Sequence, residues 1–550
     1  ACPRRGFPSG SRTRDKAPSR GKLAALAVVR VALILQVLRK MQLRHCLTHV
    51  RDTACGHVFR LPHGAYPGAH RDRSAIPWVL AALAGLSGVA CSGRLQGPPE
   101  EGSGTSGFAT GSSGTSGTSG ASGTSASGSG TSGTATIDAD ADVTPNPGTF
   151  CALPGSMVST AGGMVAVPGG DTTHDISWLT VPVGFCAHYF ATVHTVRQLR
   201  FAPDGDLFAA SPTAGTTGGA GDGSASIVVL PDDDHDGVAD SNIDYLSNLP
   251  STQGLMFNGG YFYYQNDETI LRTPFQAGDR MGPSSSETVT TIDSNVVPQA
   301  TEHWPKVFDF AQDGTMYITN GGTDGEACTS NQRLFGAIFS LNADGGVTEV
   351  SRGYRNPIAV RCEADHDVCL AAELAKDYSG NEGGREKLVP VRSGDDWGFP
   401  CCATQNLPYT GQMYSDTNGT PDCSKTASEN DAFIIGHTPF GLDFETGVWP
   451  APWTHRVFVT LHGVFGTWEG ARVVGISIDP TTGLPLPASE LDASASSATV
   501  MMDFATGWDD GQRDHGRPAP IAFSPDGRLF VGDDQLGFVV WMAPMELLQQ

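Results

Sequence analysis

Leu199-Arg-Phe-Ala-Pro-Asp-Gly-Asp-Leu-Phe208 sets two short apolar runs on either side of an Asp-Gly turn. The phrase returns as Val307-Phe-Asp-Phe-Ala-Gln-Asp-Gly-Thr-Met-Tyr317 and as Ile521-Ala-Phe-Ser-Pro-Asp-Gly-Arg-Leu-Phe-Val531. Gly254-Leu-Met-Phe-Asn-Gly-Gly-Tyr-Phe-Tyr263 is a looser copy. Each predicts two period-two strands around a tight turn, where Gly supplies the positive φ that a hairpin demands. Further strand-like runs are Ser226–Leu230, Ala337–Leu341, Ala432–Ile435, Val457–Leu461 and Arg472–Ile478, and long helical periodicity is nearly absent. Many short strands with Gly-rich turns predict an all-β repeat architecture, and at roughly 45–60 residues per four-stranded unit the length gives a six-bladed β-propeller. Stretches 374–398 and 403–430 read as loops over one face. Chemistry is expected at one mouth of the central channel, beside the strand ends.

Outward from that repeat, the composition splits the chain. The 550 residues carry a formal charge of -23, but residues 1–91 hold 15 Lys/Arg against 3 Asp/Glu, which leaves -35 for the remainder. Such a domain repels phosphate, which excludes a nucleic-acid partner. No stretch beyond residue 91 offers about 18 uninterrupted apolar residues, which excludes a multipass helical membrane protein. Residues 1–74 read as a disordered or over-extended segment. Within 75–91, an apolar run follows Arg71-Asp72-Arg73 and ends at Ala90-Cys91-Ser92, the pattern of a signal segment with a lipid-modified Cys; ordinary signal cleavage and a short anchor are the other readings. Residues 92–150 form a linker, since 30 of the 35 residues in 102–136 are Gly, Ser or Thr and cannot bury enough apolar area to order themselves. Residues 151–550 are the propeller. The expected location is exported, periplasmic or at a bacterial cell surface, with a lipid anchor or signal segment as the only membrane contact.

Eight cysteines follow Cys91, an even number that favours disulfides in an exported domain. Cys362 and Cys369 are close enough for a small closed loop, and the vicinal Cys401 and Cys402 are expected to pair elsewhere. No C-x-x-C-H haem attachment occurs.

Four constellations carry candidate chemistry. In Asp232-Asp-Asp-His-Asp-Gly-Val-Ala-Asp240, the residues Asp232, Asp234, Asp236, Gly237 and Asp240 fall at positions 1, 3, 5, 6 and 9 of a calcium loop. Alternating oxygens can converge on a hard cation there, although Ile243 holds the twelfth position in place of a Glu. His303, before the strand that opens the second hairpin, suits a general base at a channel mouth. Arg355-Asn356, in Gly353-Tyr-Arg-Asn-Pro357, suits recognition of an anion or a quinone oxygen. Arg517, in Gly516-Arg-Pro518, is placed to reach a central anion. No G-x-S-x-G elbow and no H-E-x-x-H occurs.

Taken in order, these phrases resemble the glucose/sorbosone dehydrogenase family, six-bladed quinoprotein propellers related to soluble aldose dehydrogenases. Leu179-Thr-Val-Pro-Val-Gly-Phe185 is similar to its opening strand and Gly353–Pro357 to its "GLRNP" motif. Gly394-Asp-Asp-Trp-Gly-Phe-Pro400 is similar to its "G-x-x-YGWP" turn, Gly436-His-Thr-Pro-Phe-Gly441 with Phe458-Val-Thr-Leu-His-Gly463 to its paired His motifs, and Gly516–Pro518 to its late "GRP". The resemblance covers about 179–542. It implies a dehydrogenase that oxidises a sugar or sugar-like alcohol by hydride transfer to pyrroloquinoline quinone, with calcium and an external electron acceptor. It also implies His303 as general base, Arg355 stabilising charge on the quinone oxygens, and Asn356 and Arg517 contacting the cofactor. Where the family follows its Glu with a Gly-Pro whose carbonyls bind calcium, this chain has Glu373-Leu-Ala-Lys376, and Lys376 is expected as a substitute cation at the cofactor. The alternatives are a non-catalytic cell-surface propeller that binds carbohydrate or protein, and a calcium-dependent lactonase-type propeller.

Overall fold

A computed structural model describes residues 147–548, apart from 171–172, 213–222, 224, 250, 293–302, 323–335, 376–384, 404–406, 409–422, 429–430, 435, 465–467, 490–499 and 512–514. The leader, the signal segment, Cys91, most of the linker and Lys376 lie outside the described residues.

The described chain is all-β, and six sheets, antiparallel except for one short parallel pair in the fourth, form a propeller, as expected. We number the blades I–VI in chain order. Their inner strands are Gln198–Phe201, Leu255–Asn258, Phe308–Phe310, Asn356–Cys362, Pro439–Phe444 and Pro518–Phe523. Each inner strand touches the next, and the sixth touches the first, which closes the ring. The Asp-Gly phrases form the inner hairpins, with Leu199 opposite Ala209, Phe308 opposite Ile318 and Ala522 opposite Phe530. Gly205, Gly314 and Gly527 hold φ of 97°, 86° and 87° at their turns, the left-handed region that a Cβ disfavours.

Blade VI joins the two ends of the domain. Its first three strands are C-terminal, and its fourth is Phe185–Thr192, which pairs antiparallel with Phe538–Pro544. The hairpin Met157–Thr160/Gly163–Ala166 extends the same sheet. A Cys151–Cys186 disulfide fastens the 3-10 turn Pro147–Ala152 to that fourth strand. Cys362–Cys369 and Cys402–Cys423 are bridged, and Cys401 is also disulfide-bonded.

Neighbouring blades cover both faces of each sheet, so several strands are buried along their whole length rather than alternately, as in Ile227–Leu230 and Arg456–Leu461. Aromatic side chains fill the inter-blade layers. Phe208 meets Phe257 and Phe262 between blades I and II, and Trp449 meets Phe185, Phe458 and Phe523 between V and VI. One expectation fails: the stretch 374–398 is not a loop throughout, because Glu386–Pro390 is the third strand of blade IV. Its charged residues are buried by pairing, Lys387 with Glu373 at 3.3 Å and Glu386 with the Thr438 amide.

Candidate functional site

In an antiparallel meander that begins at the centre, every inner strand starts at the same end of the ring. Arg197, Gln253, His303–Lys306, Arg355, Thr438 and Arg517 all precede inner strands. Contacts between blades show that they share one mouth. Arg197 reaches Gln253 of blade II and Asp534 of blade VI, and its guanidinium lies 4.4 Å from the Phe440 ring centroid and 6.0 Å from that of Trp304.

His303 is buried, with 3% of its surface exposed. Its Nδ1 lies 2.8 Å from the Gly322 carbonyl, which only accepts, so Nδ1 carries the proton and Nε2 the lone pair. Burial first, then the Arg355 charge, push its pKa down to about 3, so the ring is neutral. The preceding segment is fixed by Gln265, whose Oε1 accepts from the amides of Gln253, Gly254 and Lys306 and whose Nε2 donates to the Trp304 carbonyl. Gly321 packs against it so closely that a Cβ there would lie 2.4 Å from His303 Cβ and 3.0 Å from Asn356 Oδ1. His303 and Asn356 therefore flank one backbone crossing. The Gly322 amide donates to the Arg355 carbonyl at 2.6 Å, and the Arg355 amide donates to Glu373 Oε1 at 3.0 Å. The structure thus brings His303, Arg355 and Asn356 together.

Arg517 stands across the mouth. Its Nε and Nη2 donate to the carbonyls of His462 and Gly463 at 2.8 and 2.7 Å. Gly516 precedes it at φ 94°, with Asp533 oxygens where a Cβ would stand, so only Gly permits this approach. His462 Nε2 lies 2.8 Å from Asp534 Oδ1, while Asp534 Oδ2 takes Arg197 Nη1 at 2.6 Å. Burial pushes the His462 pKa down to about 4 despite the attraction of Asp534. Lys306 is fully buried, donates to the Trp304 carbonyl at 3.1 Å, and burial pushes its pKa down to about 7. The mouth therefore concentrates Arg197, Lys306, Arg355 and Arg517 in a domain of strongly negative net charge.

Sequence reading missed Gln253, Asp534 and Lys387 here. Gln253 and Asp534 carry one sequence signal, a position beside an inner-hairpin strand, and Lys387 lies in the third strand of blade IV with none. The Asp232–Asp240 loop is not part of the mouth. It follows the third strand of blade I, at the opposite end of the ring, where Asp232, Asp234 and Asp236 converge and Asp240 Oδ2 accepts from the Asp233 amide. That end also carries a cavity of about 380 Å³, lined by Arg200, Arg361, Asp443 and Phe523 among others. Arg361 there bridges Asp309 and Asp443, each at 2.8 Å.

The six-bladed propeller fold has solved counterparts. The holo form of the pyranose dehydrogenase PQQ domain from Coprinopsis cinerea matches with a TM-score of 0.54 and 14% identity, over 70% of this chain and 100% of that one. A Trichoderma reesei protein of Carbohydrate-Active Enzymes Family AA12 matches in its iodide structure (TM-score 0.52, 16% identity) and its calcium structure (0.51, 17%), each over 66% of this chain and 97% of that one. Residues 172–373 match the family described as Domain of unknown function (DUF7133). No curated protein matches the sequence. At these identities the likeness shows the fold, and at that level it bears out the resemblance drawn from the motifs.

Proposed function

We propose that the chain is an exported quinoprotein dehydrogenase that oxidises a sugar or sugar-like alcohol at this mouth, with pyrroloquinoline quinone as cofactor. The observation that carries the reading is His303, buried beside Arg355 and Asn356 with its proton held on Nδ1. The residues fit a tricarboxylate quinone. Arg355, Arg517 and Arg197 supply fixed positive charge, and the buried Asn356 Oδ1, which accepts no hydrogen bond among the described residues, suits an N–H donor of the ligand. When bound, the quinone supplies a two-electron acceptor for a hydride from the substrate carbon. His303 Nε2 takes the hydroxyl proton as the carbonyl product forms. Arg355 favours negative charge at the mouth and, once a polyanion offsets its field, ceases to depress the basicity of His303. Trp304, with Arg197 across its face, walls the mouth and excludes water. An external acceptor then takes the electrons. Lys376 is retained as a further cofactor cation and Cys91 as the lipid-anchored terminus. The disulfides support export to an oxidising compartment.

The test is to titrate the purified chain with pyrroloquinoline quinone by absorbance and calorimetry, then measure dye reduction across an aldose panel with calcium present. Quinone binding, with dye reduction lost in His303→Ala while binding persists, is the expected result. No quinone binding would overturn the reading and leave the non-catalytic carbohydrate- or protein-binding propeller.

A further inference from the structure

We propose that the Asp232–Asp240 loop is a structural calcium site that clasps blade I to the closing blade VI, independently of the quinone at the other end of the ring. One carboxylate oxygen from each of Asp232, Asp234 and Asp236 lies within 4.8 Å of the others. Asp234 and Asp236 are exposed, and such a cluster alone is ordinary. Asp232 is different. Its side chain is 10% exposed, both oxygens of the carboxylate aimed into the cluster are shielded from solvent, and among the described residues neither has a hydrogen bond of full geometry, the Gly237 amide being only a loose neighbour. The nearest cation, Arg528 Nη1, stands 3.6 Å away, beyond hydrogen-bond reach. That guanidinium is already committed to Asp526 at 2.7 Å and lies over the rings of Phe150, Phe530 and Trp541. A desolvated carboxylate held beside two others is costly unless a cation joins them. An all-oxygen donor set on a flexible loop selects calcium over softer metals. The Val238 carbonyl stands at the seventh position of the loop, where such loops contribute a main-chain oxygen.

The loop is also built into the ring closure. The Gly237 carbonyl accepts Trp541 Nε1 at 2.8 Å, and a Cβ on Gly237 would meet Leu153 at 2.8 Å and Trp541 at 3.1 Å. The Ala239 amide donates to the Phe190 carbonyl at 2.9 Å. Trp541 and Phe190 are on adjacent strands of blade VI, and Leu153 follows the turn tethered by Cys151–Cys186. On the other side Arg280 of blade II pairs with both Asp233 and Asp206. An ion at Asp232 therefore fixes a loop of the first blade against the last.

The test uses the full chain, free of quinone. Terbium, a calcium mimic, is expected to luminesce on excitation of Trp541 and to be displaced by calcium. Calcium at 100 times its dissociation constant is expected to raise the melting temperature over that in EDTA by about 3 °C. Asp234→Asn/Asp236→Asn, made at exposed positions so that the fold survives, is expected to lose both responses while quinone binding is retained. The proposal is overturned by an unchanged melting temperature without sensitised luminescence, or by equal responses in the double variant. Full stabilisation by magnesium alone would overturn the calcium assignment.

Discussion

Asp534→Asn separates the structural role of the mouth from its role towards an anion, because the two are expected to move in opposite directions. Burial raises the pKa of this carboxylate, but His462, Arg197 and Arg517 outweigh burial and hold it below the ordinary range. The amide keeps the shape and can accept one hydrogen bond, yet the Arg197 guanidinium, with 16% of its side chain exposed, loses its carboxylate. Removing one partner of such a pair typically costs about 3–5 kcal/mol. Over the span 147–548, about 400 residues, an unfolding entropy of ~2.1 cal/mol/K per residue converts this to a fall of about 4–6 °C in melting temperature. The same substitution removes one negative charge from a site proposed to bind a tricarboxylate. At an effective dielectric constant of about 20, one charge removed ~10 Å from a bound carboxylate changes its energy by ~1.7 kcal/mol, better than tenfold in affinity. Scanning calorimetry of the free protein and an absorbance titration with pyrroloquinoline quinone measure the two effects. A melting temperature within 1 °C of the parent would refute the buried-pair reasoning. Weaker quinone binding in a folded variant would refute the reading of the mouth as a cation cluster.

Three other outcomes follow from the same geometry. His303 and His462, pushed down to about 3 and about 4 in the fold, protonate near 6.5 when unfolded. Between pH 6.5 and 4 the unfolded chain therefore binds more protons and stability falls as acid is added; urea melts across that range should show the loss, and His462→Gln should flatten it. Arg361→Met leaves Asp309 and Asp443 buried without their shared cation at the end of the ring away from the mouth, so stability should fall by about 3–5 kcal/mol while dye reduction per folded molecule is unchanged. The loop closed by Cys151–Cys186 spans 35 residues and that closed by Cys362–Cys369 spans 7, so the paired Ser variants should cost about 4 and about 2 kcal/mol in urea melts on the chain-entropy account, and equal losses would contradict it.

What the sequence made legible is what local geometry determines. The Asp-Gly hairpins could be read because a tight turn needs a residue that tolerates positive φ, and Gly205, Gly314 and Gly527 supply it within a few residues of the strands they join. His303, Arg355 and Arg517 were legible for a related reason: Arg355 and Arg517 stand one residue before an inner strand and His303 five residues before one, and a meander that begins at the axis puts those positions at one mouth. The strand Glu386–Pro390 was missed because Glu386 and Lys387 look like loop residues until their partners, Thr438 and Glu373, are known. Asp534 was missed likewise, since its meaning depends on Arg197, 337 positions earlier, and on His462, 72 positions earlier.

Ring closure is the common cause of both failures. Blade VI pairs Phe185–Thr192 with Phe538–Pro544, and that junction brings Arg197 to Asp534. It also brings the Asp232 loop to Trp541. A charged side chain near either end of the domain is therefore interpretable only after the ring is closed. The aspartates and arginines at that seam are where stability and the proposed chemistry meet. The mouth can keep three arginines close together in an acidic protein because Asp534 and Glu373 hold two of them from behind, Arg197 by its guanidinium and Arg355 by its amide. Arg355 is anchored through its backbone, and its side-chain charge adds to burial, the larger cause, in making the His303 ring weakly basic before an anion arrives.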